Sequence, residues 1–398
     1  MERRKTPSAM STFFSANYIL PANGPAIKDG VVEMEDDGTI GGVYPAGAIT
    51  GKPVQRHKGI ITPGFVNAHC HLELSHMKGV IGRGTGLVSF LHQVMMQRAA
   101  DETAITAAMQ AADKQLYDNG IVAVGDHANT GISAPVKANS KLYYHTFVEV
   151  LGFEPHLAEG KFADALSVAA EFAGTAASIT AHAPYSVSKE LFKLIDGEAR
   201  KHGASLSIHN QETEAENRFF RYKEGAFLDF YASLGKDISD FRAQARNSLH
   251  TYMPYLSVET PVLLVHNTFT AAKDIFFVER QGRNVTWCFC PGANLYIEET
   301  LPKVQHFIQY GYAITLGTDS LASNDRLCIL TELKTIHQHF PELALTDTIQ
   351  WATINGARFL GVDDRFGSLE TGKTPGLNLL THTRGLALTS DTEVVRLM

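Results

Sequence analysis

A few polar side chains define the chemistry this sequence could perform. His69 and His71 flank Cys70 in the run PGFVNAHCHLELS. In an extended chain residues i and i+2 share a face, so these two imidazoles could grip one metal ion. His209 and Glu212 stand three residues apart in SIHNQETEAE, His266 closes the run LLVH, and Asp319 lies in LGTDS. A lone histidine after an apolar run is more often a satisfied core residue than a ligand. The same groups at successive strand ends of one barrel point to a site, because catalytic residues converge on that face. Three histidines and a carboxylate suit Zn2+ or Fe2+ with a position left open for water. Mg2+ and Ca2+ prefer oxygen donors and fit this set poorly.

Parallel strands must carry these groups. Apolar runs suited to strands buried on both faces cover Phe65–His69, Ile121–Gly125, Tyr143–Val150, Ser178–His182, Ser205–His209, Val262–His266, Val285–Cys290 and Ala313–Thr318. Helical patterns separate them, as in Thr103–Tyr117, Ala163–Phe172 and Lys189–His202. This alternation predicts an α/β fold, a (β/α)8 TIM-type barrel. An open doubly wound sheet is the alternative, and the absence of GxGxxG after a strand counts against it. Both ends of the chain read instead as short strands broken by Asn-Gly, Asp-Gly and Gly-Gly. They predict a small β-sandwich domain built from residues 1–62 and 366–398, around a barrel over 63–365. About 50 residues with many Phe and Tyr separate His209 from Val262. A connection of that length can shape the site, form an extra helix pair with its own small core, or do both.

Composition narrows the function classes. The 398 residues carry a net charge of −7, and no basic block could track a phosphate backbone. Arg3-Arg4-Lys5 reads as a solvated tail. No apolar run approaches the ~20 residues that span a bilayer, and the N-terminus lacks a signal-type apolar core. The expected setting is cytoplasmic, with a small-molecule substrate and neither a nucleic-acid nor a membrane partner. Cys70, Cys288, Cys290 and Cys328 in so long a chain imply reduced thiols rather than a disulfide framework. A homodimer is the expected assembly.

PGFVNAHCHLELS resembles the opening strand of the amidohydrolase superfamily. It is similar to the cytosine-deaminase-like and chlorohydrolase-like branch, which also holds guanine, S-adenosylhomocysteine and aminofutalosine deaminases. TAHAPYSVS, SIHNQETEAE, LLVHNT, CFCPGANL and LGTDSLASN resemble the later strand ends of that branch, in order, and NGARFLGVDDRFGSLETGK its return to the β domain. The resemblance implies that His69, His71, His209 and Asp319 are metal ligands. It makes Glu212 the proton shuttle, His266 (with Asp319) the group that activates water, and His182 a substrate contact. Binuclear members carry a carboxylated Lys on the fourth strand. Ile179-Thr180-Ala181-His182 has none, so one metal ion is implied. Gly376-Leu377-Asn378 stands where members often have an Asp, a departure confined to the β domain.

The implied reaction is hydrolytic deamination of an aminated heterocycle, a purine nucleoside-like compound such as aminodeoxyfutalosine of menaquinone synthesis. Hydroxide from metal-activated water adds to the amino-bearing carbon while Glu212 protonates the ring nitrogen. The alternative is hydrolysis of another C–N or C–Cl bond, of guanine deaminase, chlorohydrolase or cyclic amidase type, on an identical metal site. Glu73 and Asn129 are further candidates for substrate binding, because both follow strands on the predicted active face. Ser75, like Glu73, could hydrogen-bond a ribose or carboxylate. Asp126 reads as a turn cap, Arg83 as a surface-loop residue that could meet an anionic group, Asn294 as a structural support, and Cys288 and Cys290 as core.

Overall fold

The computed structural model describes residues 11–398. Arg3-Arg4-Lys5 lie outside the described residues. Contacts divide the chain into two bodies, one of residues 11–66, 116–123 and 329–398, the other of 67–115 and 124–328.

The first body contains two β-sheets drawn from both ends of the chain. In one, Ser11–Ser15 pairs antiparallel with Val31–Glu35 and parallel with Val54–Arg56, and Ile40–Tyr44 adds an edge. In the other, Leu377–Thr381 lies antiparallel between Glu393–Arg396 and Ile60–Pro63, and Tyr18–Ile19 and Ile27–Lys28 complete five strands. Phe14, Val32 and Met34 from the first sheet and Ile19, Ile61 and Leu377 from the second share one buried cluster. The hairpin between residues 35 and 40 turns at Gly38 (φ +87°), and the Thr39 N–H donates to Asp37 Oδ1 at 2.9 Å. That turn is the Asp-Gly signal read from the sequence.

Eight parallel strands position the polar groups: Phe65–Cys70, Ile121–Ala128, Tyr143–Val150, Ala176–Ala181, Leu206–Asn210, Val262–His266, Val285–Phe289 and Ile314–Leu316. They form two runs, strands one to four and strands five to eight. Both seams between the runs are bonded. Thr318 N–H and Asp319 N–H donate to the His69 carbonyl at 3.0 and 3.1 Å, joining the eighth strand to the first. At the other seam the His209 N–H donates to the His182 carbonyl at 3.0 Å. There the Thr180 hydroxyl takes the Ser207 N–H (2.9 Å) and donates to the Ser207 carbonyl (2.8 Å), standing in for a missing ladder rung. The ring is closed, a (β/α)8 barrel with no free edge.

Helices lie between strands where the periodicity predicts them, at Glu102–Asp118, Ala158–Glu171 and Lys189–His202. The last shows why it starts and stops where it does. Ser188 Oγ accepts the Leu191 N–H at 3.2 Å, Arg200, Lys201 and His202 fill the final turn, and Gly203 (φ +62°) ends it. The long connection after strand five folds into helices Glu214–Tyr222, Ala226–Ser233 and Ser248–Tyr252. Phe219, Phe220, Phe227 and Tyr231 bury in one cluster with Tyr185, Leu87 and Phe90, so the segment shares its core with neighbouring elements. No helix among the described residues is long and apolar enough to cross a membrane.

Candidate functional site

The polar groups meet at the carboxyl ends of the strands. His71 Nε2 and His209 Nε2 lie 3.2 Å apart. Two nitrogens each ~2.05 Å from a tetrahedral Zn2+ are about 3.3 Å apart, so one ion can use both. Asp319 Oδ1 lies 3.6 Å from His71 Nε2 and 3.7 Å from His69 Nε2. His69 is fully buried and neither of its ring nitrogens has a hydrogen-bond partner. An orphaned imidazole in a dry interior is costly unless an ion takes its lone pair. The residues present therefore fit a divalent metal.

Supporting groups fix which nitrogen faces the centre. His209 Nδ1 donates to the His182 carbonyl at 2.7 Å, leaving Nε2 as the lone pair. Asp319 is held by the Ser320 N–H (2.7 Å) and the Ser323 hydroxyl (2.6 Å). Burial, and then the neighbouring histidines, hold His69 well below the usual imidazole range. Burial acts the same way on His71 and His209. Neutral imidazoles are what a metal requires.

His266 faces Glu212, with Nε2 3.5 Å from Oε1. Its Nδ1 donates to Asn294 Oδ1 at 3.0 Å, and Asn294 Nδ2 donates back to the His266 carbonyl at 3.3 Å. Asn294 thus sets the His266 tautomer, a sharper task than the loop support read from the sequence. Burial first, then the like charges of Asp319 and Glu216, push the Glu212 carboxyl well above its usual range. Burial lowers His266 to about 4. His266 (φ +71°), Asn267 (φ +58°), Asp319 (φ +57°) and Gln211 (φ +45°) all occupy the left-handed region, which costs non-glycine residues about 1–3 kcal/mol each.

His71, His209, Glu212, His266 and Asp319 line a cavity of about 430 Å3, together with His182. Tyr185, Phe153, Phe230, Tyr231 and Phe90 supply aromatic wall, and Leu87, Leu91 and Val94 of helix Leu87–Gln97 supply aliphatic wall. The long connection after strand five therefore helps to shape the site, and its apolar cluster is shared with helix Leu87–Gln97 rather than its own. His182 Nδ1 is anchored on Ser186 Oγ at 2.7 Å. Asn129 lies on the lining, its Nδ2 donating to Glu149 Oε2 at 3.1 Å. Glu73 is directed elsewhere. Its carboxylate accepts the Asn129 and Thr130 N–H groups (3.1 and 3.3 Å) and the Thr130 hydroxyl (3.0 Å), and it is not among the lining residues. The Ser75 hydroxyl donates to the Leu72 carbonyl, and Arg83 pairs with Asp325.

Two groups were not singled out from the sequence as site residues. Glu149 is buried between His71 Nδ1 (3.8 Å) and His209 Nδ1 (3.5 Å). His127 lies within ligand distance of His69, His71 and His209, but Glu149 Oε1 and Ser207 Oγ engage both its nitrogens at 2.7 Å. It backs the ligand set. A carboxylate inside the apolar strand Tyr143–Val150 is the signal that could have exposed Glu149. Below them Asp126 Oδ2 pairs with Lys137 Nζ at 2.6 Å, both side chains fully buried. Asp126 Oδ1 accepts the Leu72 N–H at 2.8 Å, pinning the residue after His71.

A metal-ready cluster at the carboxyl end of a closed barrel defines a hydrolase-type centre. The chain belongs to the amidohydrolase family, whose model matches residues 60–396. It is 26% identical over 328 residues to an adenosine deaminase of Helicobacter pylori, covering 80% of this chain and 78% of that protein. It is 26% identical over 345 residues to an aminodeoxyfutalosine deaminase of Nitratiruptor, covering 83% and 81%. Its fold is similar to the crystal structure of Helicobacter pylori aminofutalosine deaminase in complex with methylthio-coformycin. The TM-score there is 0.81 at 22% identity, covering 95% of this chain and 93% of that one.

Proposed function

We propose that the protein hydrolyses the exocyclic C–N bond of an aminated purine nucleoside-like compound, releasing ammonia. The observation that carries this reading is Glu212: a buried carboxyl, biased toward its protonated form, facing His266 in a cavity walled by aromatic rings. The two deaminases similar over four-fifths of the chain support it.

His69, His71, His209 and Asp319 would hold one divalent ion, Zn or Fe. Bound there, such an ion would supply hydroxide at neutral pH by bringing the pKa of its water down toward ~7. His266, its tautomer set by Asn294, offers Nε2 toward Glu212 and, with Asp319, positions and deprotonates the attacking water. Glu212 hands its proton to the ring nitrogen beside the amino-bearing carbon. A C–O bond forms at that carbon. The proton taken from water passes to the amino group, which leaves as ammonia as the C–N bond breaks, and the hydroxyl proton of the adduct returns to Glu212. Tyr185 and Phe230 offer faces on which a purine could stack. His182 and Asn129 are the polar groups placed to orient the substrate.

Aminodeoxyfutalosine is the substrate we favour, which would place the enzyme in menaquinone synthesis, cytoplasmic and homodimeric. The test is ammonia release by Zn- or Fe-loaded protein from aminodeoxyfutalosine, adenosine, S-adenosylhomocysteine, methylthioadenosine, guanine, cytosine and a chlorotriazine. Turnover of an aminopurine nucleoside is expected. Chloride release, or silence on every amine with metal confirmed bound, would transfer the assignment to the other hydrolases of this scaffold.

A further inference from the structure

Helix Glu214–Tyr222 opens with the sequence Thr213-Glu214-Ala215-Glu216, the S/T-x-x-E pattern of a capping box. In that motif the glutamate at the third helical position closes on the amide of the capping residue. Thr213 behaves as expected, its Oγ1 accepting the Ala215 N–H at 3.4 Å. Glu216 does not stop at Thr213. Its Oε1 accepts the Gln211 N–H at 3.0 Å and its Oε2 accepts the Glu212 N–H at 3.2 Å. The two oxygens of one buried carboxylate hold the two consecutive amides of the turn that carries Glu212.

That turn would not hold itself. Gln211 has φ +45°, a conformation that side-chain-bearing residues avoid. Its amide side chain is tied down separately, Nε2 donating to Asn217 Oδ1 (3.1 Å) and Asp274 Oδ2 (3.3 Å) and Oε1 accepting the Thr270 hydroxyl (2.8 Å). Glu216 is fully buried, and a carboxylate in a dry interior needs partners. A helix start alone needs a carboxylate on one amide. Spanning two amides ahead of the cap fixes both the helix and the direction in which the Glu212 side chain leaves the backbone.

We infer that Glu216 is the positioning residue for Glu212, and that it acts on the reaction through Glu212 alone. The inference rests on Glu212 being the proton carrier. Glutamine at 216 has nearly the same shape but one acceptor oxygen, so one of the two buried amides would meet an N–H instead. Glu216→Gln is expected to lower kcat at least tenfold while KM stays within threefold and bound metal stays at the parent level.

The double variant separates this from a general structural role. If Glu216 works only through Glu212, adding Glu216→Gln to Glu212→Gln costs no more than a further twofold. A kcat for Glu216→Gln within twofold of the parent, or losses that multiply in the double variant, would overturn the inference. If Glu216→Gln releases metal, Glu216→Asp takes its place, keeping the charge and withdrawing the oxygens by one methylene, with the same expected split. Loss of metal by both variants assigns Glu216 to the fold and equally overturns it. A fully active Glu212→Gln would instead remove the reading of Glu212, a result distinguishable from all of these.

Discussion

Replacing Lys137 by methionine strands the Asp126 carboxylate in the interior of the barrel. The two side chains are fully buried and 2.6 Å apart, and Lys137 Nζ also donates to Thr146 Oγ1 at 3.0 Å. Phe172 packs 4.7 Å from the ammonium and Tyr144 5.7 Å, so methionine meets an apolar surface and leaves little void. The cost is therefore electrostatic. Removing one partner of a buried pair destabilises by about 3–5 kcal/mol. At ~2–4 °C per kcal/mol for a body of this size, Tm should fall by roughly 6–20 °C. Asp126→Asn combined with Lys137→Met removes both charges, and most of the loss should return. Because Asp126 also accepts the Leu72 N–H, the single variant should hold metal more weakly in a competition titration with a chelator. Calorimetry of the parent and the two variants at pH 7.5 decides it. A Lys137→Met midpoint within 2 °C of the parent, or a double variant no better than the single, would refute the reasoning.

Other expectations follow from the same geometry. Asn294→Ala frees the His266 tautomer, and the loss of about one hydrogen bond predicts a kcat roughly tenfold lower with metal content unchanged. His145 is half-buried, outside the proposed ligand set, and lowered to about 4, first by desolvation and then by Lys137. Its folded form binds fewer protons than the unfolded chain below the ordinary 6.5, so stability is full above that pH and declines as pH falls toward 4. The urea midpoint should fall less steeply between pH 6.5 and 4 in His145→Gln than in the parent, and an unchanged acid slope counts against the assignment. Thr180→Val removes the hydroxyl that bridges strands four and five, leaves the Ser207 amide unpaired, and should cost about 1–3 kcal/mol in urea unfolding.

The readable part of this molecule is the part governed by local pattern. Strands buried on both faces must be continuous apolar runs, so all eight can be found in the sequence, and their ends differ from the expected ones by no more than three residues. The proposed ligand positions follow because a barrel gathers its strand ends on one face, which brings His69, His71, His209 and Asp319 together. What a side chain does with its second polar atom is not a local property. Glu73 follows the ligand pair and reads as a substrate contact, yet the backbone of residues 129–130 takes its carboxylate. Glu149 and His127 lie on neighbouring strands and acquire their role only when strand five brings His209 and Ser207 against them. The Thr180 bridge is equally hidden, since a threonine in a strand is ordinary until its neighbouring strand lacks a rung.

The account is tested most directly by running the metal-loaded enzyme in 18O-labelled water with its best aminopurine nucleoside, beside Glu212→Gln with the same metal content. The parent should release one ammonia per turnover and place one 18O on the purine carbon that carried the amino group. Glu212→Gln should keep its metal and lose about 10²–10⁴-fold in rate. Ammonia without 18O at that carbon, or a Glu212→Gln rate within tenfold of the parent, would contradict hydrolytic deamination at this centre.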